Sequence, residues 1–392
     1  MGDPQAAYPV IHLTGTNGKG STARMATSLL RARGLSVGTY TSPHLERINE
    51  RIAWSGEPIT DDDFAAALSA VAELEPFLDG PPTYFEILTA AAFRAFADLA
   101  VDVAVVEVGL GGRWDATNVA DGQVAAVTNV ALDHKETIGP TLADIAYEKA
   151  GIVKPGSSLV LGETDDGLAG VFREAGAAEV FERNRDFGWT ANTLAVGGRS
   201  LDLYTTRSRY PGVFLAAHGR YQGDNAAVAL TAVESFFGAP IPLERVGEGL
   251  GSIQIPGRLE VVGRDPLCVL DGAHNPAGAL AAADAVNEAF GAVEGRVLVV
   301  GMNQGRAPTE MLEALNVRAY RLVISCPPPS PRAIPAAEVA AAAQALGTPA
   351  RAVESVAQAV DLGLADAGEN ELVLVTGSLY VVGAARAWLR AE

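Results

Sequence analysis

Short, continuous apolar runs recur along this chain, each ending on glycine or a polar residue, with helical segments between them. The first series is "YPVIHLTG", "VDVAVVEVGLGG", "VAAVTNVALDH" and "SSLVLG"; the second is "LCVLDG", "RVLVVG", "YRLVIS" and "LVLVTGS". A strand that is apolar along its whole length is buried on both faces. Such strands, separated by helices, form a parallel sheet covered on each side. Between the two series, residues 186–218 alternate and carry Thr, Tyr and Arg, which predicts a small antiparallel patch. The stretch "GLGSIQIPGRLEVV" has the glycines and proline of a linker near residue 256. The fold class is therefore α/β. A mostly parallel-sheet domain is expected over 1–255 and a smaller Rossmann-like α/β domain over 256–392, with helices over 277–290, 335–346 and 355–367. The cleft between two such domains is the expected place for a ligand.

The first strand runs into "TGTNGKGS" and then into the helical run "STARMATSLLRARG". Strand, glycine turn and helix start, in that order, make a phosphate cradle: backbone N–H groups approach the anion and the helix end adds positive potential. The spacing is unusual. In the common pattern G-x-x-x-x-G-K-[ST] the first glycine would be residue 13, which is Leu13, and Gly20 separates Lys19 from Ser21. Gly15, Thr16, Asn17, Gly18, Lys19, Gly20 and Ser21 form the candidate ATP loop. Lys19 is expected against the β- and γ-phosphates, and Ser21 as helix cap and phosphate donor.

Other polar residues sit at strand ends, where α/β sheets bind ligands. Glu107 closes "VVEVGLGG", His134 closes the next strand, and Asp271 closes "LCVLDG" ahead of His274 and Asn275. Glu107 suits Mg²⁺, which takes oxygen ligands and keeps several waters. Each has a plainer reading as a capped, paired or packed side chain, and Asp271 and Asn275 are ordinary helix caps on that view. Lysine is scarce: Lys19, Lys135, Lys149 and Lys154 stand among many arginines. Lys149, in a helical run with apolar neighbours, needs a partner or a modification; Glu148 and Asp144 are the ordinary candidates.

Composition narrows the classes. Net charge is −18 with no basic stripe, which argues against a nucleic-acid partner. No apolar run reaches the ~18–20 residues of a membrane span. The N-terminus shows no basic region followed by an apolar segment, so no secretion signal is expected. Two cysteines, Cys268 and Cys326, fit a reducing cytoplasm.

The ordered set "TGTNGKGS", "TSPHLERINERI", "TYFE", "EVGLGGRWDATN", "LDHKETIGPTLADIAYEKAGIVKPG", "GRLE", "DGAHNPAGA" and "GSLYVVG" resembles the folylpolyglutamate synthase/dihydrofolate synthase family, within the wider Mur ligase group. The resemblance spans nearly the whole chain. It implies an ATP-binding central-type domain followed by a glutamate-ligase domain, an offset ATP loop, and amide formation between a folate or pteroate carboxylate and L-glutamate through an acyl phosphate. It implies two Mg²⁺ sites, one from Ser42 and Glu107 and one from Glu107, His134 and a carbamate on Lys149, and it allows a monovalent cation. It puts Asn225, Arg258 and Asp271 at the nucleotide. Arg51, His274, Ser378 and Tyr380 would be at the incoming glutamate, and Phe85, Asp115 and Ala116 at the pterin side. Lys19, Glu107, His134, Lys149 and His274 would carry the catalysis, in a cytoplasmic monomer. The chain departs from the pattern in having only 11 residues before "HLTGTNGKGS" and in having Trp114 where leucine is frequent. A Mur-type ligase on a non-folate acceptor and a P-loop NTPase regulator are the competing readings.

Overall fold

A computed structural model describes residues 1–134, 136–305 and 307–391; Lys135 lies outside the described residues. The chain divides into two compact units, Met1–Ala216 with Tyr221–Gln254, and Ala217–Arg220 with Ile255–Glu392.

The first unit contains, in order, β1 (Val10–Thr14), α1 (Lys19–Ala32), β2 (Val37–Tyr40), β3 (Ile52–Trp54), β4 (Glu57–Pro58), α2 (Asp61–Ala72), α3 (Tyr84–Asp98) and β5 (Val103–Glu107). It continues with β6 (Gly122–Val127), α4 (Leu142–Ala150), β7 (Ser158–Leu161), α5 (Asp166–Arg173), β8 (Glu179–Glu182), β9 (Gly188–Ala195), β10 (Gly198–Tyr204), β11 (Arg209–Leu215), α6 (Tyr221–Phe237) and α7 (Leu243–Gly251). Among the described residues these strands form an eight-stranded sheet, β4-β3-β2-β5-β1-β6-β7-β8, and a three-stranded sheet, β11-β10-β9. The large sheet is parallel except at its β2–β3–β4 edge. β1 and β5 are buried at every residue, as their mostly apolar character predicts, with His12, Thr14 and Glu107 the buried polar exceptions. In register, Leu13 sits opposite Glu107 and Thr14 opposite Val127. The sheet thus brings the ends of β5, β1 and β6 side by side.

The antiparallel sheet matches the alternating stretch in the sequence. It is anchored to α6 by a buried pair: the Tyr210 hydroxyl donates to Glu234, whose side chain is fully enclosed. The Ile241 backbone N–H donates to the same hydroxyl at 3.1 Å.

The second unit contains β12 (Glu260–Arg264), β13 (Leu267–Leu270), α8 (Pro276–Phe290), β14 (Gly295–Val300), α9 (Pro308–Ala314), β15 (Leu322–Ser325), α10 (Ala336–Ala345), β16 (Ala350–Ala352), α11 (Val356–Asp366), β17 (Glu371–Thr376) and α12 (Leu379–Ala391). Its sheet runs β12-β13-β17-β14-β15-β16 and is parallel apart from β12. β12 corrects one expectation. "LEVV" reads as part of a linker, yet Glu260–Arg264 pairs antiparallel with β13, since apolar valines find a free edge there.

Replacing Tyr210 by Phe removes the donor and leaves a buried carboxylate short of a partner. Tyr210→Phe should lower stability by about 1–3 kcal/mol, read as a lower urea midpoint. An unchanged midpoint would show that this pair does not anchor the small sheet.

Candidate active site

The loop after β1 is set apart by a left-handed glycine at the helix start; α7, α9 and α10 also lack a side-chain cap, but they begin on proline or alanine at negative φ. α2, α3, α4, α8 and α11 begin on Thr60, Thr83, Thr141, Asn275 and Ser355, whose side chains accept a first-turn N–H. α1 begins on Gly18 in a left-handed conformation, φ 86°, with no side-chain cap. This corrects the expectation for Ser21, which is the third helical residue, buried, and not the cap. An uncapped helix start leaves N–H donors for an anion.

The loop is held from three directions. Gly15 has φ 148°, and a Cβ there would collide with the Thr128 hydroxyl beyond β6. A Cβ on Gly18 would strike the Asn225 side chain of α6. Gly20 lies where a Cβ would be 3.4 Å from Glu107 Oε2. Thr128 Oγ1 donates to Asn17 O at 2.6 Å, Asn129 Nδ2 donates to the same oxygen at 2.9 Å, and Asn17 N donates to Asn129 Oδ1 at 3.0 Å. Thr16 N donates to Asn129 O at 2.9 Å. The Lys19 ammonium folds back over the loop, donating to Gly15 O at 3.0 Å and Thr16 O at 3.4 Å. Thr128 and Asn129 were missed in the sequence, although "VTNV" places two hydrogen-bonding side chains immediately after an apolar strand.

Glu107 is buried and accepts from Ser42 N at 3.1 Å, so those two residues are brought together. Lys149 is buried in α4. Burial, reinforced by the Lys19 charge and opposed by Asp133 and Asp115, pushes its pKa down to about 7. Asp144 instead closes a capping box with Thr141. His134 stands exposed at positive φ, its Nε2 3.8 Å from Asp133 Oδ1. Among the described residues no three His, Cys, Asp or Glu side chains gather as a metal cage. Mg²⁺ does not require one: it is commonly held by one or two carboxylates, with phosphate oxygens and water completing its shell. One buried carboxylate against a phosphate-type loop fits that donor set.

A second cluster lies nearby in the same unit. Tyr40, at the end of β2, accepts from Thr89 Oγ1 at 3.2 Å and lies 5.9 Å, centroid to centroid, from Phe85. Burial raises its pKa, while Arg51 opposes and Asp115 and Glu107 add to the shift. Arg51 is buried, donates from Nε to His44 Nδ1 at 2.9 Å and stacks 5.4 Å from the Tyr84 ring. His44 is driven toward its neutral form by burial and by Arg51. Asp115 is buried beside Ala116 in the turn after β5. Trp114, one residue earlier, is exposed.

In the second unit, Asp271 accepts from Leu259 N at 3.0 Å and Ala273 N at 2.9 Å. Burial raises its pKa against the pull of Arg258 and these bonds. His274 Nδ1 lies 2.9 Å from Gly272 O and donates to it. Asn275 caps α8, as its plainer reading held. Ser378 Oγ accepts from Tyr380 N at 3.2 Å and from Asn303 Nδ2 at 3.4 Å. Asn303 was also missed; its signal is a polar residue just past the apolar run "VLVVGM".

Residues 13–233 match the Mur ligase middle domain, and residues 257–379 match the Mur ligase glutamate ligase domain. The dihydrofolate synthase/folylpolyglutamate synthase of Mycobacterium tuberculosis is 36% identical, over 98% of this chain and 87% of that protein. The chain belongs to the folylpolyglutamate synthase/dihydrofolate synthase family of Mur ligases. A crystal structure of the Mycobacterium tuberculosis folylpolyglutamate synthase complexed with ADP and AMPPCP superposes with TM-score 0.94 at 37% identity, covering 99% of this chain and 92% of that one. A bifunctional folylpolyglutamate synthase/dihydrofolate synthase solved with Mn, AMPPNP and L-glutamate superposes with TM-score 0.86 at 31% identity, covering 99% and 91%. In this family member, no helix among the described residues is long and apolar enough to cross a membrane.

Lys149 gives a signed pH dependence. Unfolded lysine titrates near 10.5, against about 7 when folded. Between those values the unfolded chain binds more protons, so this residue makes stability rise with pH across the window. In buffer free of carbon dioxide, Lys149→Met should exceed wild type in urea midpoint at pH 6, and the gap should narrow steadily toward pH 9.5. A gap that is constant with pH would show that the amine is not desolvated.

Proposed function

We propose that this synthase-family chain uses ATP to join a folate or pteroate carboxylate to the amine of L-glutamate. The observation that carries the reading is the uncapped start of α1 with Gly15, Gly18 and Gly20 packed tightly against Thr128, Asn225 and Glu107. Glycine at 15 and 18 lets the loop lie against Thr128 and Asn225 without a clash, and that turn leads into a helix start with no side-chain cap, which supports a phosphate-binding reading.

A carboxylate does not acylate an amine unaided. Transfer of the ATP γ-phosphoryl group to the acceptor carboxylate gives an acyl phosphate and ADP. The glutamate amine then attacks the carbonyl carbon, phosphate leaves, and the amine loses a proton to solvent. Backbone N–H groups of the α1 start and the Lys19 ammonium hold the phosphates and stabilise charge as the phosphoryl group transfers. Ser42 and Glu107 would hold Mg²⁺, which supplies further neutralisation of phosphate charge when bound. Lys149 suits carbamate formation, because the neutral amine is the form that adds carbon dioxide and a pKa of about 7 makes that form abundant. With His134 the carbamate would complete a second metal position; this, a monovalent cation, a monomeric state and a cytoplasmic location belong to the same reading. Asn225, Arg258 and Asp271 are assigned to the nucleotide. Arg51, His274, Ser378 and Tyr380 are assigned to glutamate, with arginine suited to bidentate carboxylate pairing. Phe85, Asp115 and Ala116, with Tyr40, are assigned to the pterin side. The relative solved with Mn, AMPPNP and L-glutamate supports the same set of ligands here.

The test is ADP release with L-glutamate and either dihydropteroate or tetrahydrofolate, with products weighed by mass spectrometry. Release should require both glutamate and an acceptor; release indifferent to glutamate would favour an NTPase. Lys19→Ala should lower turnover about a hundredfold or more with the circular dichroism spectrum unchanged, and normal turnover would remove Lys19 from the phosphate site.

The carbamate has a readout of its own. In bicarbonate, native mass spectrometry should show a gain of one carbon dioxide that Lys149→Arg abolishes. An identical gain in the variant would place the modification elsewhere.

A further inference from the structure

His12 has no part in the reaction described above. It sits in the middle of β1, opposite Val106 of β5 and Ala125 of β6, with no exposed surface. Gly122 makes room beside it, since a Cβ there would lie 3.0 Å from His12 Cβ. His12 Nε2 is 2.8 Å from Thr117 Oγ1, and Thr117 Oγ1 is 2.5 Å from Asp115 Oδ1. Asp115 Oδ1 also accepts from Thr117 N at 3.0 Å, and its Oδ2 accepts from Leu110 N at 2.9 Å.

The hydrogens in this chain can be assigned by elimination. A threonine hydroxyl has one hydrogen, and an ionised carboxylate only accepts. The Thr117 hydrogen therefore goes to Asp115, at a length characteristic of a charge-assisted bond. The Thr117 oxygen can then only accept from His12, so Nε2 carries the ring hydrogen. Nδ1 is left bare, and it is buried without a partner. A second ring hydrogen would have no acceptor, and burial, helped by the Lys154 charge, keeps the pKa down at about 3. His12 is a fixed neutral donor. A valine or isoleucine in its place would suit a buried strand better and leave no orphan nitrogen.

We infer that His12 is a positioning residue: through Thr117 it holds the Asp115 carboxylate in one orientation for the acceptor substrate. A carboxylate has about four acceptor directions, and the bonds from Thr117 and Leu110 occupy three. The remaining direction is available to an N–H donor on the pterin side of a folate or pteroate. The inference rests on the assignment of Asp115 to that pocket.

Steady-state kinetics on His12→Leu, His12→Gln, Thr117→Val and Asp115→Ala test it. His12→Leu should raise the acceptor KM about tenfold, one lost hydrogen bond's worth. Its kcat and its KM values for ATP and glutamate should stay within about twofold of wild type. His12→Gln, whose amide can donate from a similar reach, should recover most of the loss. Thr117→Val should reproduce the acceptor-specific rise and serves if His12→Leu does not fold. A merely structural role would lower the active fraction, and so kcat, without separating the substrates. An acceptor KM unchanged in His12→Leu and Thr117→Val but raised in Asp115→Ala would overturn the inference and leave the pocket assignment standing. An unchanged KM in Asp115→Ala would sink that assignment and the inference with it. An ATP KM that rises as much as the acceptor KM would show that His12 acts through β1 on the loop, against the inference.

Discussion

The start of α1 has no cap of its own, and the first unit is arranged around that fact. A side-chain cap contributes about 0.5–2 kcal/mol to a helix; α2, α3, α4, α5, α8 and α11 take it from threonine, aspartate, asparagine or serine, while α7, α9 and α10 start without one on proline or alanine at negative φ. At Gly18 the contribution is forgone. The donors left over point where an anion can replace the missing cap. The loop needs outside support in the meantime, and Thr128 and Asn129 supply it by tying down Thr16 and Asn17. Those two residues follow β6, which pairs with β1. The sheet register therefore fixes the loop.

The same region gathers charges that a protein interior ordinarily excludes. Glu107 and Lys149 are both buried. The depressed pKa of Lys149 states the cost of keeping an ammonium there, made worse by Lys19. Two amines that disfavour each other's charge fit a site in which one is to remain a cation against phosphate and the other is to become an anion. On the proposed reading, bound metal and phosphate charges would offset the remaining imbalance.

Much of the architecture was legible in the sequence for a simple reason. Parallel strands buried on both faces read as apolar runs, and each such run quoted from the sequence contains a strand, but in "VAAVTNVALDH" the strand stops at Val127, so His134 lies in the loop seven residues beyond it rather than at a strand end. β12 was obscured because its valines follow a Pro-Gly turn, and an edge strand carries no neighbour's signature. Ser21 reads as the cap because serine is the commoner cap; a left-handed glycine leaves no side chain to point it out. His12 carries no signal in the sequence, because one polar residue inside an apolar strand reads as a tolerated exception. Only the Thr117 and Asp115 contacts, more than a hundred residues away, give it a purpose.

The phosphate loop and the acceptor pocket differ in how they are encoded. On the proposed reading phosphate is recognised by backbone N–H groups, a helix end and one lysine, all of which come from a single stretch of chain. Spacing alone therefore announces it. On the proposed reading the pterin side takes Tyr40, Phe85 and Asp115, which lie on different elements of the chain. No local spacing marks such a set. On the inference drawn above, its orientation depends further on groups that never reach the ligand, along the hydrogen bonds from His12 through Thr117 to Asp115. A set of this kind is therefore read only from the folded chain, where hydrogen bonds join residues more than a hundred positions apart.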